Sequence, residues 1–205
     1  MRARGLAAGL VLVLGATAQS SSLATPPLAE VHVSAYDQGA FDLFSPSRIT
    51  VRRGGTVTFD FDGPSSHTAT DGTGMDLFDS GVVHAGGPSL SYIYRAAGAY
   101  AFVCTLHPEM SGQVRVPITA APPQGGRARR FTVRWAAGVA EGGSVYDVQL
   151  RRPEGPWLRW VWGTTTPWTR FVSDAGRGSY RFRARMREPR GSSSAWSDPD
   201  VITVG

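Results

Sequence analysis

Hydrophobic and polar residues alternate with a period of two along much of this chain, and neither half keeps the 3.6-residue period of an amphipathic helix. Each alternating run is short and is bounded by Gly, Pro, Asp or Ser, which is typical of strands joined by turns. The runs are 57–61, 90–94, 100–104 and 114–118 in the first half, and 131–135, 146–150 and 180–187 in the second. This pattern predicts an all-β protein built from β-sandwiches.

A segment rich in proline and glycine divides the chain in two. Residues 120–127 contain the run Ala-Ala-Pro-Pro-Gln-Gly-Gly, and this composition predicts a linker. All six tryptophans lie after the segment, whereas the single cysteine and all four histidines lie before it. We therefore predict two β-sandwiches in series, one over residues 29–119 and the other over residues 128–205.

The N-terminal 18 residues have the composition of a secretory signal peptide. Two arginines precede an apolar run over residues 6–14, and the small residues 16–18 form a cleavage site. The apolar run is shorter than the about 20 residues that span a bilayer, and we predict no transmembrane segment. We predict cleavage near Ala18 and a secreted or periplasmic location; an uncleaved N-terminal helix is the alternative.

Charge is distributed unevenly between the two predicted sandwiches. Residues 25–119 carry five arginines against nine acidic residues, a net charge of −4. Residues 120–205 carry 14 arginines against seven acidic residues, a net charge of +7. The overall pI near 10 would by itself suggest a nucleic-acid ligand. The asymmetry and the signal peptide instead indicate two differently charged extracytoplasmic modules and no nucleic-acid partner.

The single cysteine has chemically informative neighbours. In an oxidising compartment Cys104 is a free buried thiol, half of an intermolecular disulfide or a metal ligand. His107 and Met110 follow it within six residues and favour the metal ligand. Thiolate and thioether favour Cu(I), and imidazole binds both oxidation states of copper. With His67, these residues make the two His, one Cys and one weak axial Met of a blue-copper electron-transfer site.

The strand pattern also predicts how this site is held. Alternation places the Cys104 side chain on the same face as Tyr100 and Phe102, so we expect its sulfur to point into the core. Pro108 restricts the loop that carries His107, because its ring fixes φ. A stiff loop would keep the ligands in nearly one arrangement while copper changes its oxidation state.

These residues resemble the cupredoxin family over about residues 29–119. The resemblance rests on His67 and on Cys104-Thr-Leu-His-Pro-Glu-Met110, with support from segments 78–81, 86–92, 97–100 and 112–116. The two-residue gap between His107 and Met110 is similar to the short loop of amicyanin, whereas plastocyanin-type loops are longer. The resemblance implies a Greek-key sandwich with one type 1 Cu ion. His67, Cys104 and His107 would be the equatorial ligands, Met110 the weak axial ligand, and a redox partner protein would exchange single electrons with the site.

Two positions differ from many members of that family. Thr68 follows His67 where many relatives have Asn, whose side chain braces the loop near the thiolate. Glu109 lies in the ligand loop where relatives often have an apolar residue or Gly. The family usually passes electrons through the His edge that corresponds to His107. Glu109 and the net charge of −4 therefore predict a cationic redox partner.

The remaining candidate ligands fit this site less well. His84 lies in a predicted turn, His32 alternates with core-facing valines, and Met75 lies in a loop. Multicopper oxidases and nitrite reductases need further copper sites built from additional histidines, so we predict that the protein is not an enzyme. The alternative function is copper storage, delivery or sensing without redox turnover. A further hypothesis is an adhesion protein in which the copper module is mainly structural.

The second half resembles a fibronectin type III domain. Trp135 is placed as an early core tryptophan, Tyr180 opens a late strand as a tyrosine corner would, and residues 194–199 are similar to the final-strand region. Four arginines alternate with apolar residues in the late strand: Arg181, Arg183, Arg185 and Arg187. We favour a structural ladder in which they stack on tryptophans. The alternative is a tethering or docking surface for an acidic cell-surface polysaccharide or a partner protein.

Overall fold

The computed structural model describes residues 30–38 and 41–205, so the predicted signal peptide at residues 1–18 lies outside the described residues. Strands are the only regular elements within the described ranges. None of these residues forms a helix that is long and apolar enough to cross a membrane. The prediction of an all-β fold is therefore confirmed, and two hydrophobic cores divide the strands into two groups.

Eight strands form the first sandwich. They are β1 (Glu30–Gln38), β2 (Phe41–Ser45), β3 (Arg48–Thr50), β4 (Gly55–Phe61), β5 (Thr70–Asp71), β6 (Leu90–Tyr94), β7 (Gly98–Val103) and β8 (Ser111–Val116). One sheet has the order β2-β1-β4-β6 and the other β3-β8-β7-β5. The core between them includes Val57, Phe59 and Phe102, which have no solvent exposure, and it also contains Cys104 and Met110.

The alternating runs predict these strands to within a few residues. Residues 57–61 lie inside β4 and residues 90–94 coincide with β6. The run 114–118 begins inside β8 but extends past its end at Val116. Pro117 follows directly, and β8 ends there because proline has no N–H group for the strand ladder.

The other eight strands form the second sandwich. They are β9 (Thr119–Ala121), β10 (Gln124–Gly125), β11 (Phe131–Arg134), β12 (Val145–Arg151), β13 (Trp157–Thr164), β14 (Trp168–Phe171), β15 (Gly178–Arg187) and β16 (Asp200–Val204). One sheet has the order β14-β11-β9 and the other β10-β16-β15-β12-β13. Trp135, Val148 and Phe182 are fully buried between the two sheets.

The segment 120–127, which the sequence predicts as a linker, pairs with the second sandwich. Strand β9 pairs with β11 in antiparallel register, and β10 pairs with β16 in parallel register. These residues therefore extend both sheets of the second sandwich. We propose that the domain boundary lies between Val116 and Thr119, where β8 has ended and β9 has not begun.

Backbone hydrogen bonds also join the two sandwiches. The Ala97 N–H donates to the Trp135 carbonyl oxygen at 2.6 Å. Ala99 and Ala195 exchange two such bonds at 2.9 and 3.0 Å. Ala96 and Ala97 are buried in the core of the second sandwich. The turn before β7 thus packs against both sandwiches.

Two of the four late-strand arginines of β15 lie against tryptophan rings. The Arg183 guanidinium lies over the rings of Trp157 and Trp196, at 4.4 and 5.1 Å from the centroids. Arg185 lies 4.8 Å over Trp196 and 5.4 Å over Trp162. Such cation–π contacts are worth about 0.5–2 kcal/mol each. These contacts support the interpretation of this face as a structural ladder.

Candidate metal centre

Cys104 lies directly after β7 and its side chain is buried. It shares a face with Tyr100 and Phe102, and the three side chains are at most 2% exposed. The structure therefore agrees with a sulfur that points into the core. The backbone N–H of Thr68 donates to the Cys104 sulfur at 3.3 Å. A donor in this position stabilises a thiolate, the form of cysteine that binds metals.

The loop after Cys104 is closed by its own backbone. The Cys104 N–H donates to the Met110 carbonyl oxygen, and the Met110 N–H donates to the His107 carbonyl oxygen, both at 2.9 Å. Met110 is fully buried, whereas the His107 side chain is 28% exposed. The loop thus carries one buried and one partly exposed candidate ligand on a hydrogen-bonded frame.

His67 comes from a different part of the first sandwich. Its backbone exchanges two hydrogen bonds with Val83, at 2.8 and 2.9 Å. Its side chain is fully buried, yet neither ring nitrogen has a hydrogen-bond partner among the described residues. Buried polar atoms are nearly always paired, so an unpaired buried imidazole calls for an explanation.

The three strongest candidate ligands converge. One ligand atom each from His67, Cys104 and His107 lies within 4.8 Å of the others. The Cys104 sulfur is 3.5 Å from His107 Nδ1, and the two imidazole centroids are 5.0 Å apart. One thiolate and two imidazoles at this spacing fit a single copper ion. A bound metal would also satisfy one of the two unpaired ring nitrogens of His67.

Thr68 braces the ligand loop in this chain. Its hydroxyl oxygen accepts a hydrogen bond from the Thr105 N–H at 2.8 Å and lies 3.2 Å from the Thr105 hydroxyl. Thr70 donates to the same oxygen at 3.0 Å. Thr68 therefore provides a side-chain link between the His67 segment and the residue after Cys104.

Two aspartates that the sequence pattern does not predict lie beside the imidazoles. Asp37 Oδ2 is 3.7 Å from His67 Nε2, and Asp42 Oδ2 is 3.4 Å from His107 Nε2. A hydrogen bond from Ser65 and another from Asp42 hold the pKa of Asp37 below its usual range. The bond to Asp37, together with burial, raises the pKa of Asp42. Their one sequence signal is that Asp37 and Asp42 flank a short segment containing Gly39.

The other candidates lie apart from this group. The His84 ring bonds to the Ser66 hydroxyl at 2.7 Å on the exposed surface. The exposed His32 bonds to Asp60 at 2.6 Å, which agrees with the predicted outward face. Met75 is buried and lines a cleft with residues 188–190 of the second sandwich. The described residues thus bring together the side chains of His67, Cys104 and His107, and backbone hydrogen bonds hold the buried Met110 in the same loop.

Among known proteins, similarity to this chain is found in solved structures only. No protein-family model matches the sequence, and no curated protein matches it. A purple cupredoxin from Nitrosopumilus maritimus is 22% identical with a TM-score of 0.39, and the match covers 42% of this chain and 99% of that one. Oxidized plastocyanin from Dryopteris crassirhizoma is 22% identical with a TM-score of 0.38, and the match covers 42% of this chain and all of that one. An oxidized amicyanin variant is 22% identical with a TM-score of 0.37, and the match covers 43% of this chain and 82% of that one.

Proposed function

We propose that this chain is an exported type 1 copper protein that transfers single electrons and is not itself an enzyme. The proposal assigns His67, Cys104 and His107 as equatorial ligands and Met110 as the weak axial ligand. The observation that carries it is the buried His67 imidazole, unpaired at both nitrogens and within 4.8 Å of a thiolate and a second imidazole. Export rests on the signal-like N-terminal sequence.

Copper, when bound, would supply a one-electron couple between Cu(II) and Cu(I). The residues of this chain hold the ligand atoms in one arrangement. Thr68 donates to the Cys104 sulfur, the loop closes on its own backbone, and the Val83 pairing holds His67. Because these bonds hold both the ligand loop and the His67 segment, little rearrangement would accompany a change of charge. Buried and braced ligands favour an electron carrier over copper storage or delivery, which needs exchange of the metal.

We propose His107 as the point of electron entry. Its side chain is 28% exposed, whereas the other three ligands are at most 2% exposed. Leu106 beside it is 44% exposed and offers an apolar contact. Asp42 lies 3.4 Å from the His107 ring, and Glu109 in the same loop is exposed. This mixture of apolar and acidic groups would suit a redox partner protein with a cationic surface.

An optical spectrum of the protein loaded with Cu(II) tests the proposal. We expect an intense visible band from charge transfer out of the Cys104 thiolate. We also expect the copper to resist a small chelator over minutes, since three of the four ligands are buried. A pale spectrum would contradict the type 1 assignment. Intense colour with loss of copper to the chelator within seconds would favour storage, delivery or sensing.

We propose that the second sandwich is a fibronectin type III-like domain that tethers or docks the copper module. Support comes from its three-stranded and five-stranded sheets and from Tyr180 at the start of β15. The Tyr180 hydroxyl donates to the Gly176 carbonyl oxygen at 2.8 Å and accepts from the Ala175 N–H at 3.0 Å. A tyrosine bonded back to the backbone a few residues upstream is the tyrosine corner of such sandwiches.

The surface that supports tethering is a cleft at one edge of this sandwich. The cleft has a volume of about 400 Å³ and is lined by four arginines and one glutamate: Arg151, Arg152, Arg177, Arg181 and Glu154. Arg152 pairs with Asp174, but Arg177 and Arg181 are exposed and have no ion-pair partner among the described residues. Two free guanidinium groups in a concave surface would suit an acidic polysaccharide.

Retention on immobilised heparin, a sulfated polysaccharide, tests this cleft. The Arg177→Ala/Arg181→Ala double variant should elute at a lower salt concentration than the unaltered protein, because two contacts to anions are lost. Arg130→Ala/Arg170→Ala removes the same charge at two other exposed positions without an ion-pair partner among the described residues, and is the matched control. Equal shifts for the two double variants would indicate only a general effect of net charge and would exclude a site in the cleft.

A further inference from the structure

Two aspartates face each other directly across the β1–β2 hairpin. Asp37 and Asp42 are register partners in this antiparallel pair. Their side chains are only 18% and 24% exposed. Like charges directly opposite in a sheet are destabilising. The arrangement is therefore costly for the hairpin alone, which points to a role at the neighbouring site.

Each of the two carboxyl groups faces a different imidazole of the candidate metal centre. Asp42 lies 3.4 Å from Nε2 of His107, whose Nδ1 is the nitrogen that lies 3.5 Å from the Cys104 sulfur. Asp37 lies 3.7 Å from Nε2 of His67. In both rings the carboxyl group is thus on the Nε2 side, which leaves Nδ1 for the metal. The same hairpin supplies both partners.

We propose that Asp37 and Asp42 are positioning residues that hold His67 and His107 as Nε2–H tautomers with Nδ1 directed at the metal. The Nε2–carboxyl distances of 3.7 and 3.4 Å are longer than ordinary hydrogen bonds, so the carboxyl groups act on the Nε2–H groups mainly through their charge. A carboxylate beside the second N–H of a histidine ligand fixes the tautomer and makes the imidazole a more basic ligand. A more basic imidazole favours Cu(II) over Cu(I), because the higher charge gains more from it. The acid pair therefore lowers the reduction potential of the site. This inference deepens the proposed type 1 copper function and rests on it.

Substitutions of Asp42 separate its charge from its role as a hydrogen-bond acceptor. Asp42→Asn keeps an oxygen that can accept from Nε2–H but removes the negative charge, and Asp42→Ala removes both. Asp62→Asn is the control, because Asp62 is exposed in the loop after β4 and its side chain contacts neither imidazole among the described residues. Asp37→Asn provides the matching change at His67 while keeping an acceptor for the Ser65 N–H, which donates to Asp37 at 3.2 Å.

Copper affinity and reduction potential give the first readout. Loss of such an outer partner typically weakens metal binding by about 10- to 100-fold. We expect Asp42→Asn to weaken Cu(II) binding about tenfold with little change for Cu(I), and Asp42→Ala to weaken it further. A tenfold change for one oxidation state raises a one-electron potential by about 59 mV. A shift for Asp42→Asn no larger than that for Asp62→Asn would overturn the proposal.

The second readout needs no copper. Nitrogen-15 NMR of the metal-free protein reports which ring nitrogen carries the proton. Both His67 and His107 should be Nε2–H tautomers in the unaltered protein, and Asp42→Ala should give a mixture of tautomers at His107 alone. An unchanged tautomer at His107 would overturn the positioning role. Because this experiment is independent of colour, failure of the positioning role and failure of the type 1 copper assignment can be told apart.

Discussion

Replacing Cys104 by serine should abolish the intense visible absorption that we expect of the Cu(II)-loaded protein. The band arises from electron transfer out of a sulfur orbital, and a serine hydroxyl has neither that orbital nor the softness of a thiolate. The site itself should survive, because a hydroxyl is smaller than a thiol and the loop is closed by the Cys104 and Met110 backbone atoms. The measurement is the visible spectrum of Cys104→Ser beside the unaltered protein, with copper content determined separately.

Met110→Gln is the matched comparison within the same loop. It changes the proposed axial ligand from a thioether to an amide oxygen of similar size. We expect copper to stay bound, the colour to persist and the reduction potential to fall, since a harder oxygen favours Cu(II). Residual intense colour in Cys104→Ser would refute the thiolate assignment. Release of copper from Met110→Gln would mean that this residue holds the metal rather than tuning it.

The alternation of residues predicted much of the first sandwich and the ligand loop. Strand β7 buries alternate side chains, so the position of Cys104 on the Tyr100 face follows from the period of two alone. Its spacing to His107 is local and can be read from the sequence. The Asp42 contact cannot, because it joins residues 65 positions apart through the packing of a hairpin against the ligand loop. Contacts between segments depend on sheet order, which the alternation leaves open.

In the second half, too, the alternation predicts which side chains share a face but not which residues of other strands they contact. The alternation in β15 predicts that its arginines share one face, and aromatic neighbours were predicted from the number of tryptophans alone. The alternation carries no information about which residue neutralises them. Asp147 lies in β12 directly opposite Arg185, and its side chain is fully buried. An aspartate in an alternating strand is normally expected on a solvated face, so the buried position follows from sheet pairing and from charge rather than from hydropathy.

Replacing Asp147 by alanine should destabilise the second sandwich more than any surface change. Its carboxylate oxygens accept from the Arg185 side chain at 3.1 Å, from Arg187 at 3.2 and 3.4 Å, and from the Gly163 N–H at 3.0 Å. Alanine would leave two partly buried guanidinium groups and one backbone donor without their acceptor. Removal of one partner of a buried ion pair typically costs about 3–5 kcal/mol. We expect a loss of this size in the free energy of unfolding.

Urea denaturation followed by tryptophan fluorescence measures this loss, because all six tryptophans lie in the second half. Asp174→Ala is the control: it removes an aspartate whose pair with Arg152 is more exposed, with the Asp174 side chain 47% exposed. An exposed pair contributes about 0–1 kcal/mol, so the free energy of unfolding of this variant should be close to that of the unaltered protein. The free energy of unfolding of Asp147→Asn should lie between those of the two alanine variants, since asparagine keeps an acceptor for the Gly163 N–H but loses the charge. Equal losses for Asp147→Ala and Asp174→Ala would mean that the stacked tryptophans alone hold Arg185 and that Asp147 does not anchor the ladder.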